Sequence, residues 1–166
     1  IERLLEKYPV YTSDIFTTDE SLKMIADIGV LCQKKKEANT LVTEIKASFT
    51  SILKNENKTV AYVIWKNPIM FARQNSFIQS MITLAGFKNI IDTTNSRYPE
   101  TTIETLKTQK PDFILLSSEP FPFKQKHVQE FEKRTGIKTV LVDGEMFSWY
   151  GSRMLKFAEY LKHLNF

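Results

Sequence analysis

The chain has 166 residues, of which 42% are hydrophobic and 25% charged, with 5 Gly and 6 Pro. That length and balance fit a globular domain with a core of its own, and exclude disordered, collagenous and coiled-coil classes. The net charge of +4 comes from dispersed lysines with one run at Lys34, Lys35 and Lys36, which reads as a solvated face and not as a nucleic-acid footprint. No apolar run is long enough for a transmembrane segment. The opening residues IERLLEKYPV lack the basic, apolar and small-residue regions of a signal peptide. Ile1 falls inside an apparent helical pattern, so the chain reads as a piece of a longer parent. Cys32 is the only cysteine, and its apolar helical setting predicts a buried, inert thiol.

In chain order, residues 1–8 read as the end of a helix stopped by Pro9, and Val10 with Tyr11 as a short strand. Thr18 or Asp19 caps a helix that runs to about Cys32, with Leu22, Ile25, Ala26, Gly29 and Cys32 near one face. A second helix runs from about Lys34 to Leu53, where Ala38, Leu41, Val42, Ile45, Phe49, Ile52 and Leu53 keep 3.6-residue spacing. Polar Lys54–Lys58 closes this section. Thr59–Trp65 (TVAYVIW) is a β-branched and aromatic run of the kind buried on both faces of a sheet. A helix over Ser76–Ala85 with Gly86 as its C-cap, a short strand at Asn89–Ile91, and a helix over Thr101–Gln109 follow. Then come a buried strand at Asp112–Ser117 (DFILLS), a helix over Lys124–Thr135, a strand at Lys138–Val142 and a last helix over Ser148–Leu164. The alternation predicts an α/β fold: a Rossmann-like lobe with a small parallel sheet flanked by helices, preceded by a long helix.

Ligands of such sheets gather at the carboxyl ends of the strands. Those loops carry Trp65 with Phe71 and Arg73, then Arg97 and Tyr98, then Glu119, Phe121 and Phe123, then Phe147, Trp149, Tyr150 and Arg153. Eight aromatics at one sheet edge either cap the sheet's own core or form a recognition surface for a large, flat, partly apolar ligand. Glu119, Asp143 and Glu145 also allow general acid–base or metal chemistry, the rival reading of a hydrolase-like or metal-dependent enzyme. Against it, the chain holds no Gly-rich phosphate loop, no G-x-S-x-G elbow and no Cys/His cluster.

The element order and three stretches carry a resemblance. They are I-x-x-I-G-x-L-C at Ile25–Cys32, L-L-S-S-E-P-F-P-F at Leu115–Phe123 and D-G-E-M-F-S-W-Y-G-S-R at Asp143–Arg153. The chain resembles the periplasmic binding proteins of ABC importers for vitamin B12, haem and ferric siderophores, the helical-backbone metal receptors. The resemblance implies half of a two-lobed binding protein. Residues 1–17 would be the tail of a missing N-terminal lobe, 18–58 a helix pair that includes the connecting helix, and 59–166 the C-terminal lobe. It implies a receptor and not an enzyme, with no resident cofactor. The transported ligand would be a ferric siderophore, haem or cobalamin, and the partners a membrane permease and the other lobe of the same parent chain. It places the protein in the periplasm or on a lipid anchor outside the cytoplasm. Trp65, Phe71, Tyr98, Phe121, Phe147, Trp149 and Tyr150 would pack on the ligand. Arg73, Arg97 and Arg153 would pair with its anionic groups, and Glu119 would join the site. Glu104, seven residues before Pro111, takes the place of the family's permease-docking glutamate; an exposed carboxylate there also suits an ordinary helix first turn.

Overall fold

A computed structural model describes residues 2–52, 58–90, 99–164 and 166. The first helix, α1 (Glu2–Leu5), buries none of its side chains. The expected strand at Val10–Tyr11 is absent, because no neighbouring strand pairs with it; the Tyr11 hydroxyl instead donates to Asp27 at 3.2 Å. Helix α2 (Thr18–Leu31) is capped one residue earlier than expected, by Thr17. Thr17 Oγ1 accepts from Glu20 N, and Glu20 Oε2 accepts from the amides of Thr17 and Phe16 at 2.9 and 2.8 Å. This reciprocal capping box is written in the sequence as Thr17-x-x-Glu20. Glu20 is held below the usual carboxylate range, first by the Phe16 amide and then by Thr17.

Helix α3 (Lys35–Thr50) turns back on α2. A Cβ on Gly29 would lie 2.3 Å from the Ala38 Cβ, so only glycine lets the two helices approach this closely. Cys32 caps the end of α2, where the chain leaves the helix, and its thiol is exposed instead of buried.

The sheet comprises β1 (Thr59–Trp65), β2 (Ile69–Phe71), β3 (Lys88–Asn89), β4 (Glu100–Thr101), β5 (Phe113–Ser117) and β6 (Thr139–Val142) among the described residues. Its order is β4-β2-β1-β5-β6, with β3 also paired to β1. The pairs β1–β3, β1–β5 and β5–β6 are parallel, as expected, while β2 runs antiparallel to β1 and β4 antiparallel to β2. The sheet is therefore mixed and mostly parallel, not purely parallel. Strands of two or three residues such as β2 and β4 carry too few side chains to show a period. The turn after Trp65 folds β2 back along the free edge of β1, and β4 then pairs with the outer edge of β2. Strand β3 begins one residue before the expected position, and Ile91 lies outside the described residues.

Alternation along β1 divides the core in two. Val60, Tyr62 and Ile64 face α2, α3 and helix α4 (Phe77–Leu84), through Leu22, Ile25, Ala38, Ile45, Met81 and Ile82. Ala61 and Val63 face helices α5 (Ile103–Gln109) and α6 (Gln125–Thr135), through Ile103, Leu106, Val128 and Phe131. One continuous core thus joins the helix pair to the sheet. The expected last helix over Ser148–Leu164 begins only at Ser152, as a 3-10 helix (Ser152–Lys156) that runs into α8 (Phe157–Lys162), and a separate short helix, α7 (Gly144–Ser148), precedes it. Asp143 caps α7, Trp149 ends it in an extended conformation, and Gly151 turns the chain at φ 90°.

Candidate ligand-binding surface

The carboxyl ends of β1, β5 and β6 bring three loops together. At the end of β1, Trp65 is 39% exposed and donates its indole N–H to Asn67 O at 3.2 Å. The loop after β5 crosses it, with the Phe121 amide donating to Ile64 O at 3.3 Å. Phe121 meets Trp65 edge-on at 5.6 Å, and packs on Phe123 at 4.6 Å and His127 at 5.6 Å. Phe123 is buried beneath. His127 Nδ1 accepts from Lys124 N at 2.9 Å; its pKa is pushed down by burial first and by Lys66 and Lys126 second, so the ring works as a neutral cap for α6.

The loop after β6 presents Trp149, 53% exposed, and Tyr150, 45% exposed, the latter edge-on to Phe77 at 5.6 Å. Its far end is tied to α2 by a hydrogen bond from Gly151 N to the buried Ser21 Oγ at 3.1 Å. Of the aromatics expected at this edge, Trp65, Trp149 and Tyr150 are exposed and Phe121 is half-buried beside Trp65. Three of the eight are buried instead: Phe123, already described, and two more. Phe147 is fully buried between Tyr62 and Phe157, each ring 5.2 Å away, and Phe71 is 2% exposed in the core over α5 and α6. Both belong to the sheet's own packing, because the short α7 and β2 turn them inward. Arg97 and Tyr98 lie outside the described residues.

Arg73 is partly buried, with its guanidinium 5.5 Å from the centre of the Phe16 ring. It lines a groove of about 900 Å³ between the start of α2 and α4, together with Phe16, Thr18, Asn75, Gln79 and Thr83. Nothing in the sequence brings Phe16 to Arg73. The contact follows from α2 and α4 packing side by side, where Thr18 N donates to Ser80 Oγ at 3.1 Å.

The three acids of the enzyme reading are each committed elsewhere. Glu119 Oε1 accepts from Ser148 Oγ at 2.6 Å and Trp149 Nε1 at 3.0 Å. Asp143 Oδ1 caps α7 by accepting from Glu145 N at 3.0 Å. Asp143 Oδ2 lies 3.5 Å from Arg153 Nη2, and Glu145 pairs with the same guanidinium nitrogen. Arg153 thus bridges two carboxylates of its own loop. Among the described residues no group of three or more His, Cys, Asp or Glu is arranged to hold a metal ion. Burial pushes the phenols of Tyr62 and Tyr160 up, so both stay neutral as they bond Ser117 Oγ and Asp143 N at 3.2 and 2.7 Å. Ser148, which sequence reasoning placed at a helix start, proves to be a partner of Glu119 from 29 residues away.

Glu104 is exposed in the first turn of α5, behind the N-cap Thr102, whose Oγ1 accepts from Thr105 N at 3.1 Å. No helix among the described residues is long and apolar enough to cross a membrane.

Among curated proteins no sequence matches the chain. Solved structures do. A possible iron-binding (periplasmic solute-binding) protein from Staphylococcus epidermidis superposes with a TM-score of 0.76 at 23% identity, over 97% of this chain and 68% of that one. A periplasmic heme-binding protein of Vibrio cholerae gives 0.73 at 17% identity, over 97% and 69%. The periplasmic vitamin B12-binding protein of the same organism gives 0.69 at 18% identity, over 97% and 68%. At these identities the likeness is one of fold. The sequence profile of the periplasmic binding proteins, in turn, matches residues 1–140, which include β1, β5 and the loop of Glu119 and Phe121. With most of its length matched, the chain belongs to the periplasmic binding protein family, whose members bind substrates and are not enzymes.

Proposed function

We propose that the chain is ligand-binding material of an ABC importer's substrate receptor, carrying a metal chelate: a ferric siderophore, haem or cobalamin. The observation that carries this reading is the aromatic rim of exposed Trp65, Trp149 and Tyr150 with half-buried Phe121 beside Trp65, carried at the end of β1 and on the loops that follow β5 and β6. Large exposed rings on a fixed frame suit a broad planar ligand with little ordering cost on binding. Arg73, with Arg97, supplies cations for anionic groups of the chelate, while Arg153 is engaged by Asp143 and Glu145 and braces its own loop. In this reading residues 59–166 are the C-terminal lobe, 18–58 the connecting helix pair and 1–17 the end of the opposing lobe, which closes the other wall of the cleft. Glu104 docks on a permease arginine, and the receptor works outside the cytoplasm.

Absorbance titration of the intact protein with hemin, cyanocobalamin and several ferric siderophores tests the reading. One of these classes is expected to bind, with a shifted ligand spectrum and quenched tryptophan emission. Failure of all of them, together with divalent-metal binding and hydrolytic activity, overturns it.

A further inference from the structure

Glu119 sits at the aromatic rim, yet its carboxylate is turned onto the rim itself. One oxygen, Oε1, accepts both from Trp149 Nε1 at 3.0 Å and from Ser148 Oγ at 2.6 Å. The residue is pinned from behind as well. Its carbonyl accepts from Ser117 Oγ at 2.6 Å, and Ser117 Oγ accepts in turn from the buried Tyr62 hydroxyl at 3.2 Å. Below it lies Gly144, where a Cβ would come within 2.4 Å of Glu119 Cγ. Trp149, by contrast, is 53% exposed, and among the described residues its indole packs against no other ring. The bond to Glu119 is therefore the specific contact that fixes the ring's direction.

We infer that Glu119 is a positioning residue: it holds Trp149 ready to receive the ligand and does not itself touch the ligand. This rests on the receptor reading above. A hydrogen bond to an ionised acceptor is about twice as strong as a neutral one, which suits the task of holding an exposed ring. A ring held before the ligand arrives loses no rotamer freedom in the binding step, so the affinity is higher. The commitment of the carboxylate to Ser148 and Trp149 also explains how an acid is tolerated at a rim that receives chelates with anionic groups, where an unengaged carboxylate would repel them.

Two measurements on the intact protein decide the point. The first is the indole N–H resonance of Trp149, assigned with Trp65→Phe. In the wild type it is expected to be shifted downfield and protected from solvent exchange despite the ring's exposure. Glu119→Ala moves it upfield and speeds exchange roughly tenfold, and Glu119→Gln, which keeps an acceptor oxygen, restores part of both. An unchanged resonance in Glu119→Ala overturns the inference. The second is affinity for whichever of hemin, cyanocobalamin or ferric tris-catecholate the wild type binds. Glu119→Ala weakens it roughly two- to tenfold, and Glu119→Ala combined with Trp149→Ala loses no more than Trp149→Ala alone. Equal losses with and without Trp149 would mean that Glu119 contacts the ligand, and would overturn the inference. If the wild type binds none of the three, the receptor reading is what fails, and the indole resonance still reports on whether Glu119 holds the ring.

Discussion

Gly144 shows how one missing side chain shapes the rim. A Cβ there would lie 2.4 Å from both Ser117 Oγ and Glu119 Cγ and 3.1 Å from Glu119 N. Its own amide donates to Ser118 Oγ at 3.0 Å. The backbone of α7 can approach the end of β5 only because this position is bare, and that approach brings Ser148 and Trp149 within reach of Glu119. Gly144→Ala must push the β5 loop away, since part of what it meets is backbone. The expected cost is that of overpacking a tight site, about 1–3 kcal/mol, read from urea unfolding. A variant as stable as the wild type would mean that the two loops are not held against each other. The same contrast explains why site residues were only partly legible. Phe147 and Trp149 stand two residues apart in the same aromatic stretch, and sequence alone treats them alike. Tyr62 and Phe157 then enclose the first, while the extended turn at Trp149 sends the second outward. Which aromatic is core and which is rim depends on partners 85 residues before and 10 after Phe147, and no local pattern encodes them.

At the scale of elements, long apolar runs were readable and short backbone pairings were not. TVAYVIW and DFILLS become the two central strands because burial on both faces demands continuous apolar residues. Leu22 and Ile25 of the α2 stripe and Ala38 and Ile45 of the α3 stripe likewise meet the core, while Cys32 at the end of the α2 stripe stays exposed. Strand β2 exists through main-chain bonds along the edge of β1, and β4 through bonds to β2, and neither leaves a side-chain signature. The last helix starts four residues late because the extended Trp149 and the turn at Gly151 separate it from the short helix that Asp143 caps. The start of the central strand pair has a polar staple with a consequence for stability. Asp112, just before β5, accepts from the amide and hydroxyl of Thr59 at 2.8 Å each and from Lys58 Nζ at 3.0 Å. These bonds, the Thr59 amide first, hold its carboxyl down to about 2, against an ordinary value of 3.8. Because the folded value lies below the unfolded one, the staple's contribution is complete above about pH 4 and is lost as pH falls through about 2. The urea midpoints of the wild type and Asp112→Ala should therefore draw together between pH 4 and the lowest pH at which both fold. A gap that stays constant across that range would show that the staple does not depend on the charge of Asp112.

For the whole molecule, the two faces of the sheet carry different tasks. Helices α2, α3 and α4 cover one face, and α5 and α6 the other, so Glu104 stands on the surface of a helix whose apolar side is fixed by Ile103 and Leu106. Its residue environment is that of a plain exposed glutamate in a first turn, where it also favours the helix dipole. What distinguishes a docking role is the division of effects between transport and binding. With the permease reconstituted, Glu104→Ala should lower uptake about tenfold or more, as the loss of one charge-assisted bond of about 1.5–3 kcal/mol implies. Affinity for the ligand should stay unchanged, and stability should stay within about 0.5 kcal/mol of the wild type, as for an ordinary surface substitution. Glu104→Arg, which places like charges against each other at the same contact, should be worse than the alanine variant, and its penalty should ease as salt is raised. A variant that binds ligand poorly would put Glu104 in the cleft. One that transports normally would leave the carboxylate as a helix-capping charge, and the permease contact would have to lie elsewhere on the lobe.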